Sequence, residues 1–412
     1  MRKLTCAVIV MGVIVGMRTL VRAADAPFPA FKAQQLDEKL TVGYGVLLLD
    51  LNGDGKPDIV VADSKRVIWF ENSTWTMHVI LEGQTKPDNV AIAPIDLRGN
   101  GKTDLILGAG WKGYNTKDNG TLQWLEPGQN VTEPWTMHPI GFDEVALHRI
   151  HVATIDGKPR VFVAPLLGRG ATQHGNWSES TPKLLEYPVP ADPVNGPWTP
   201  SVVTDRLHVV HNFWPVDLQG NGKTELLIAS YEGLYVLTPG TNGGSWSPRR
   251  IGAGEQADPT KSRGCSEAKL GHSKSGQPFI ATIEPWHGNE VVVYTPPANG
   301  GEGLWERKVL DSDLHEGHGI WLADLNGDGS DDVVACARAG KGGDGGRGVF
   351  VYSLASSTGN ASDATWTKHV IDDREMAAED VAAADLNGDG HIDIVAVGRA
   401  THNVRIYWNQ GK

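Results

Sequence analysis

Residues 320–337 read IWLADLNGDGSDDVVACA: an apolar run, a polar stretch that opens on Asp324, and a second apolar run. The polar stretch is rich in Asp, Asn and Gly, which tolerate the backbone conformations of a tight turn. The flanking runs are too short for amphipathic helices and carry β-branched and aromatic residues, so they predict two strands joined by the turn. The same phrase returns as VLLLDLNGDGKPDIVVAD at 46–63 and VAAADLNGDGHIDIVAVG at 381–398. Weaker copies are IAPIDLRGNGKTDLILGA at 92–109 and FWPVDLQGNGKTELLIAS at 213–230. HVATIDGKPRVFVAP at 151–165 and AKLGHSKSGQPFIATI at 268–283 keep only the strand–turn–strand rhythm.

Each copy is followed by a variable loop, an aromatic-containing strand and a closing strand that begins on Trp75, Trp135, Trp198, Trp246, Trp305 or Trp366. That makes six closing strands for seven openings. FKAQQL, from Phe31, stands where the seventh would be, at the other end of the chain. Four short strands about every fifty residues describe propeller blades. The sequence predicts an all-β fold, one seven-bladed β-propeller over residues 24–412, with the N-terminal strand completing the last blade so that no sheet edge is left open.

The turns themselves carry chemistry. Asp50, Asn52, Asp54 and Asp58 fall at positions 1, 3, 5 and 9 of the first, with glycine at position 6 for the sharp bend. Asp324, Asn326, Asp328 and Asp332 repeat this, as do Asp385, Asn387, Asp389 and Asp393. Oxygens at those spacings converge on a hard cation, and structural Ca2+ is expected there. Arg98 and Gln219 replace the position-3 ligand in two other copies and weaken the case for them.

Residues 1–23 combine a basic start, an apolar run and a small-residue region near Ala23, the pattern of a cleaved signal peptide, and the chain is expected to be secreted or periplasmic. The apolar run is too short to span a bilayer, and no later stretch is longer, so no membrane span is expected. The formal charge is −12, and loss of residues 1–23 would remove four basic residues and no acidic one. An acidic chain without a basic stripe argues against nucleic-acid binding. Export would permit a disulfide between Cys265 and Cys336; two buried thiols are the alternative.

In a propeller, residues that enter the innermost strands ring the axis on the face opposite the Asp-rich turns. Counting back six positions from the first Asp of each turn gives Tyr44, His211, His318 and Glu379, and His151 if the third turn is one residue shorter. Three units carry His-x-x-His here: His148 and His151, His208 and His211, His315 and His318. Histidines from different blades can converge, and His151, His211 and His318 are expected to hold Zn2+ or another divalent transition metal. His78, His138 and His369, in outer strands, show that histidine is also an ordinary strand residue in this chain. Loops on the same face add Arg169, Glu284, Trp286, His287, Arg338 and Arg399, a polar and aromatic set suited to a carbohydrate.

The repeats resemble the VCBS/FG-GAP propellers, which implies the fold and calcium loops. LHVVHNFWPVDLQGNG, EPWHGNE and HEGHGIWLADLNGDG further resemble the propeller part of the aldos-2-ulose (1,5-anhydro-D-fructose) dehydratases. That resemblance implies a lyase removing water, or another β-substituent, from a keto-sugar. Such chemistry needs a base near neutral pKa, for which His208, His287 and His315 are candidates. Tyr44 or Glu379 would protonate the departing hydroxyl, and Arg169, Glu284, Trp286, Arg338 and Arg399 would bind substrate. The alternative is a non-catalytic propeller that binds a glycan or a protein, with Trp111, Trp177 and Trp286 as stacking platforms.

Overall fold

In the computed structural model, which describes residues 28–297, 303–338, 346–355 and 364–411, twenty-eight strands form seven four-stranded antiparallel sheets. The expected signal peptide lies outside the described residues. The innermost strands are Gly43–Leu49, Ala91–Ile95, Leu147–Ile155, Asn212–Val216, Glu267–His272, Gly317–Ala323 and Ala378–Ala384. Each contacts the next around the ring, and the last contacts the first. The protein is a seven-bladed β-propeller.

The second strand of a blade explains why the ring forms. Asp58–Asp63, Asp104–Ala109, Glu225–Ser230, Asp332–Ala337 and Asp393–Gly398 are buried at every position. Such strands are apolar on both faces and need cover on both. Val61, Ile68 and Val46 therefore pack with Val395, Val397 and Ile406 of the seventh blade. Phe31–Asp37 lies antiparallel against Val404–Asn409 as the outermost strand of that blade. Its register runs from Phe31 opposite Asn409 to Asp37 opposite Val404.

The Asp-rich turns are built around their own carboxylates. Asp50 Oδ1 accepts from the main-chain N–H groups of Gly53 and Asp54, and Oδ2 from that of Gly55. Gly53 and Gly55 sit at φ of 81° and 84°, where a side chain would be strained. The position-9 carboxylates lie beneath the turn. Asp58 accepts from Leu51 N (2.9 Å) and Asn72 N (2.8 Å), and so ties the turn to the neighbouring hairpin. Asp393 does the same with Leu386 N and Asn409 N. Cys265 and Cys336 are free, buried thiols. Among the described residues no helix is long and apolar enough to cross a membrane.

Burial, reinforced by the nearby carboxylates of Asp328 and Asp324, pushes Asp332 up to about 8. Burial, with Asp389 and Asp385, pushes Asp393 up to about 6. Both groups bind protons more tightly folded than unfolded, where a carboxyl titrates near about 4. Their contribution is thus fully present at low pH and is lost as pH rises through the folded values. In chelator, the melting temperature should fall between about pH 5 and pH 8, and the double variant Asp332→Asn, Asp393→Asn should flatten that fall. Calcium should restore more stability at the higher pH; calorimetry without any calcium response would show the turns to be plain hydrogen-bonded loops.

Candidate active site

At the start of an innermost strand the regular alternation is broken. Blades one, three, six and seven carry register shifts between Gly43 and Gly45, Leu147 and Arg149, Gly317 and Ile320, and Ala378 and Asp380. A bulge inserts an extra residue and re-aims its side chain. Here the inserted positions are Tyr44, His148, His318 and Glu379. Gly319 permits the close approach in blade six, since a Cβ there would lie 3.1 Å from Asp380 Cα.

His148, His211 and His318 come together, with nitrogens all within 4.8 Å of one another. The expected trio is corrected at one member: His148, not His151, joins His211 and His318. The reason is the hairpin of the third blade. Its turn is only Asp156 and Gly157, so the innermost strand runs on to Ile155, and counting back six positions from the turn stops short of His148. His151 lies further down the axis, 3.3 Å from Asn212 Oδ1 and edge-on to Trp214.

Each histidine of the trio is oriented through its other nitrogen. His148 Nδ1 lies 2.9 Å from His211 O, His211 Nδ1 3.0 Å from Ser266 O, and His318 Nδ1 2.6 Å from Glu379 O. Main-chain carbonyls only accept, so each Nδ1 carries the proton and each Nε2 keeps a lone pair, which on His148 faces Arg149 Nη1 at 3.2 Å and on His211 faces His287 Nε2 at 2.9 Å. This is the second-shell arrangement of metal-ligating imidazoles. Burial, with the positive charges of Arg149 and Arg338 nearby, holds His148 and His318 well below the ordinary histidine range; burial also lowers His211. Three neutral, preoriented imidazoles fit a divalent transition metal.

A fourth imidazole completes the group. His287 Nε2 is 2.9 Å from His211 Nε2, and its Nδ1 accepts from Arg338 Nη2 at 3.1 Å. Its proton is therefore on Nε2, facing the cluster. Burial and the Arg338 charge hold this imidazole neutral as well. Arg338 also contacts Glu379 at 3.4 Å, and Arg399 donates to the other Glu379 oxygen at 2.8 Å. Glu379 is thus flanked by two guanidiniums. Tyr44, 6% exposed, has Arg399 5.3 Å above its ring, and burial raises its phenol. Trp286 packs against His211, His287, Tyr114 and Tyr231, and Tyr114 stacks on Trp177, forming an aromatic wall. Trp286 Nε1 and Arg338 Nε are buried without a partner among the described residues.

The remaining expectations are redirected. Glu284 does not face the site: it is fully buried within its blade, accepting from Tyr294 Oη (2.8 Å), Arg307 Nε (2.8 Å) and the Cys265 thiol. His208 pairs with Glu232 at 2.7 Å, because His208–His211 is irregular backbone and the two histidines do not share a face. Arg169 is engaged in loop contacts with Asn119 Oδ1 and Asp143 O. His315 lies beside the loop at Gly346, its N–H donating to that carbonyl. Tyr114, Arg149 and Glu267, which no motif marks, are part of the surroundings.

The residues around these histidines and the repeats that carry them match known proteins. The propeller resembles that of aldos-2-ulose dehydratase. The model of the aldos-2-ulose dehydratase β-propeller domain matches residues 119–297, and FG-GAP-like repeats match residues 50–107 and 324–396. Aldos-2-ulose dehydratase of Phanerodontia chrysosporium is 26% identical over 385 residues, covering 86% of this chain and 40% of that protein. The chain thus spans less than half of this relative's length. Among solved structures, BBS1N in complex with ARL6DN shares the fold at 13% identity and a TM-score of 0.51, covering 92% of this chain and 96% of that one.

His148→Ala, His211→Ala and His318→Ala should each weaken Zn2+ binding by about 100-fold or more, whereas His151→Ala should leave it unchanged. Competition with a chromophoric chelator measures this. Loss on removing His151 with retention on removing His148 would reverse the assignment.

Proposed function

We propose that the protein is an exported hydro-lyase that removes water from a keto-sugar held over the histidine cluster, with a divalent transition metal on His148, His211 and His318. The observation that carries this reading is the convergence of three neutral imidazoles whose Nδ1–H groups are all spent on main-chain carbonyls. The likeness to aldos-2-ulose dehydratase supports a carbohydrate as the ligand. Ca2+ in the three complete Asp-rich turns would brace the blades that present the site.

A metal bound at Nε2 of the trio would polarise the substrate ketone and lower the cost of the enolate that forms on loss of the neighbouring proton. The chain's own groups supply the rest. Arg338, by donating to His287 Nδ1, keeps an N–H on Nε2 that can hydrogen-bond the departing hydroxyl, which leaves as water with the proton lost from the carbon beside the ketone. Glu379 holds Arg338 and Arg399 in place on the rim, where their remaining N–H groups can bind sugar oxygens. Trp286, Tyr114 and Trp177 offer ring faces to the C–H side of a sugar. That wall equally suits the second reading, a binding propeller without turnover.

Incubation with 1,5-anhydro-D-fructose should give the ultraviolet absorbance of a conjugated enone. His287→Gln should lower kcat by about 100-fold or more while keeping the bound metal, since it removes the oriented Nε2–H that faces the leaving hydroxyl and not a ligand. His211→Ala should abolish both. Saturable sugar binding with no enone from the wild type, and binding unaffected in both variants, would favour the binding module.

A further inference from the structure

Below the histidine cluster the axis opens into a cavity of about 450 Å3. It is walled by innermost strands and reaches as far as Leu49, Pro94 and Ala384, at the end of the barrel where the Asp-rich turns begin; Pro94 is exposed. Four charged side chains line it: Arg149, Glu267, Lys269 and Asp380. Two of them are already engaged. Glu267 lies 3.1 Å from His211 Nδ1 and accepts from Asn212, and Arg149 reaches Glu267 (3.5 Å) and His148 O (3.2 Å).

The other two are not. Lys269 is 8% exposed, yet among the described residues its ammonium has no hydrogen bond and no ion pair. It lies 3.1 Å from the ring centre of Trp214 and 5.5 Å from that of Trp321. Burying an ammonium with its donors unmet is costly, and a position over an indole face offsets only part of that. Burial lowers its pKa accordingly. Two blades on, Asp380 accepts one hydrogen bond among the described residues, from Val46 N at 3.1 Å, and its charge and that of Lys269 attract each other. Trp214 and Trp321 stand edge to face, 5.9 Å apart.

The cavity therefore offers one uncommitted donor group, one uncommitted acceptor group and two indole surfaces. An anion would meet Asp380 and Glu267, and a cation would meet Lys269 and Arg149. A neutral ligand whose hydroxyls both accept and donate satisfies both groups, with its C–H faces against the indoles. The volume is in the range of small-molecule pockets, which run to several hundred Å3. We propose that this lower chamber is a second binding site, for a neutral, hydroxyl-rich molecule of monosaccharide size, with Lys269 donating to one ligand hydroxyl and Asp380 accepting from another. The assignment is independent of the reading of the histidine cluster as a lyase site.

The test is titration of the full exported chain with D-glucose, D-gluconate and D-glucosamine, followed by calorimetry and tryptophan fluorescence, on the wild type and on Lys269→Met, Asp380→Asn and His287→Gln. Glucose should bind in preference to both charged analogues. Lys269→Met and Asp380→Asn should each weaken it by about tenfold or more, the loss of one charge-assisted hydrogen bond, and His287→Gln should leave it unchanged. If Lys269→Met fails to fold, Asp380→Asn carries the test alone. No saturable binding of glucose, preference for either charged analogue, or binding indifferent to both chamber substitutions would overturn the proposal. Binding lost in His287→Gln but not in the chamber variants would also overturn it, while leaving the upper site intact; enone formation lost with the chamber response intact would sink only the lyase reading.

Discussion

Second strands that are apolar on both faces set the terms for the whole molecule. A strand such as Asp332–Ala337, buried at all six positions, cannot be covered by a partner on one side alone. Each blade must therefore be sandwiched between two others, and the only arrangement that gives every sheet two neighbours is a closed ring. The histidine cluster follows from closure. His148, His211 and His318 come from blades three, four and six and meet only because the ring brings their innermost strands to one axis.

The axis then divides by chemistry. At its upper end, bulged residues point inward and their polar groups are tied to main-chain carbonyls, which fixes tautomers as well as positions. Regular alternation resumes directly below, so that Arg149 and His151, or Glu267 and Lys269, two residues apart, share the axial side. Arg149 and Glu267 link the two levels by touching the histidines from beneath.

The fold was readable because its signals are local and repeated. Strand, Asp-rich turn and strand follow one another within eighteen residues of sequence, and the closing tryptophans mark the period. The site was readable in outline only. His211 and His318 were found by counting back from their turns, because the intervening strand has a length set by the repeat. His148 was missed because the third blade exchanges its long turn for Asp156–Gly157 and lengthens the strand, and a count from the turn cannot register that. The irregular backbone at His208 likewise breaks the period on which a His-x-x-His reading rests. Glu284 looked like a pocket residue from its loop, but the direction of its side chain depends on Arg307 and Tyr294, which belong to other strands. Lys269 and Asp380 belong to no motif; only the ring sets them around a common cavity.

The strand that completes the seventh blade also orders events during synthesis. Phe31–Asp37 leaves the ribosome before any blade, yet its partner, Val404–Asn409, follows every other strand of the propeller. Until that partner emerges, the early strand presents an unpaired edge. Docking of the first strand onto the last is thus the step that gives the seventh blade its fourth strand and closes the ring.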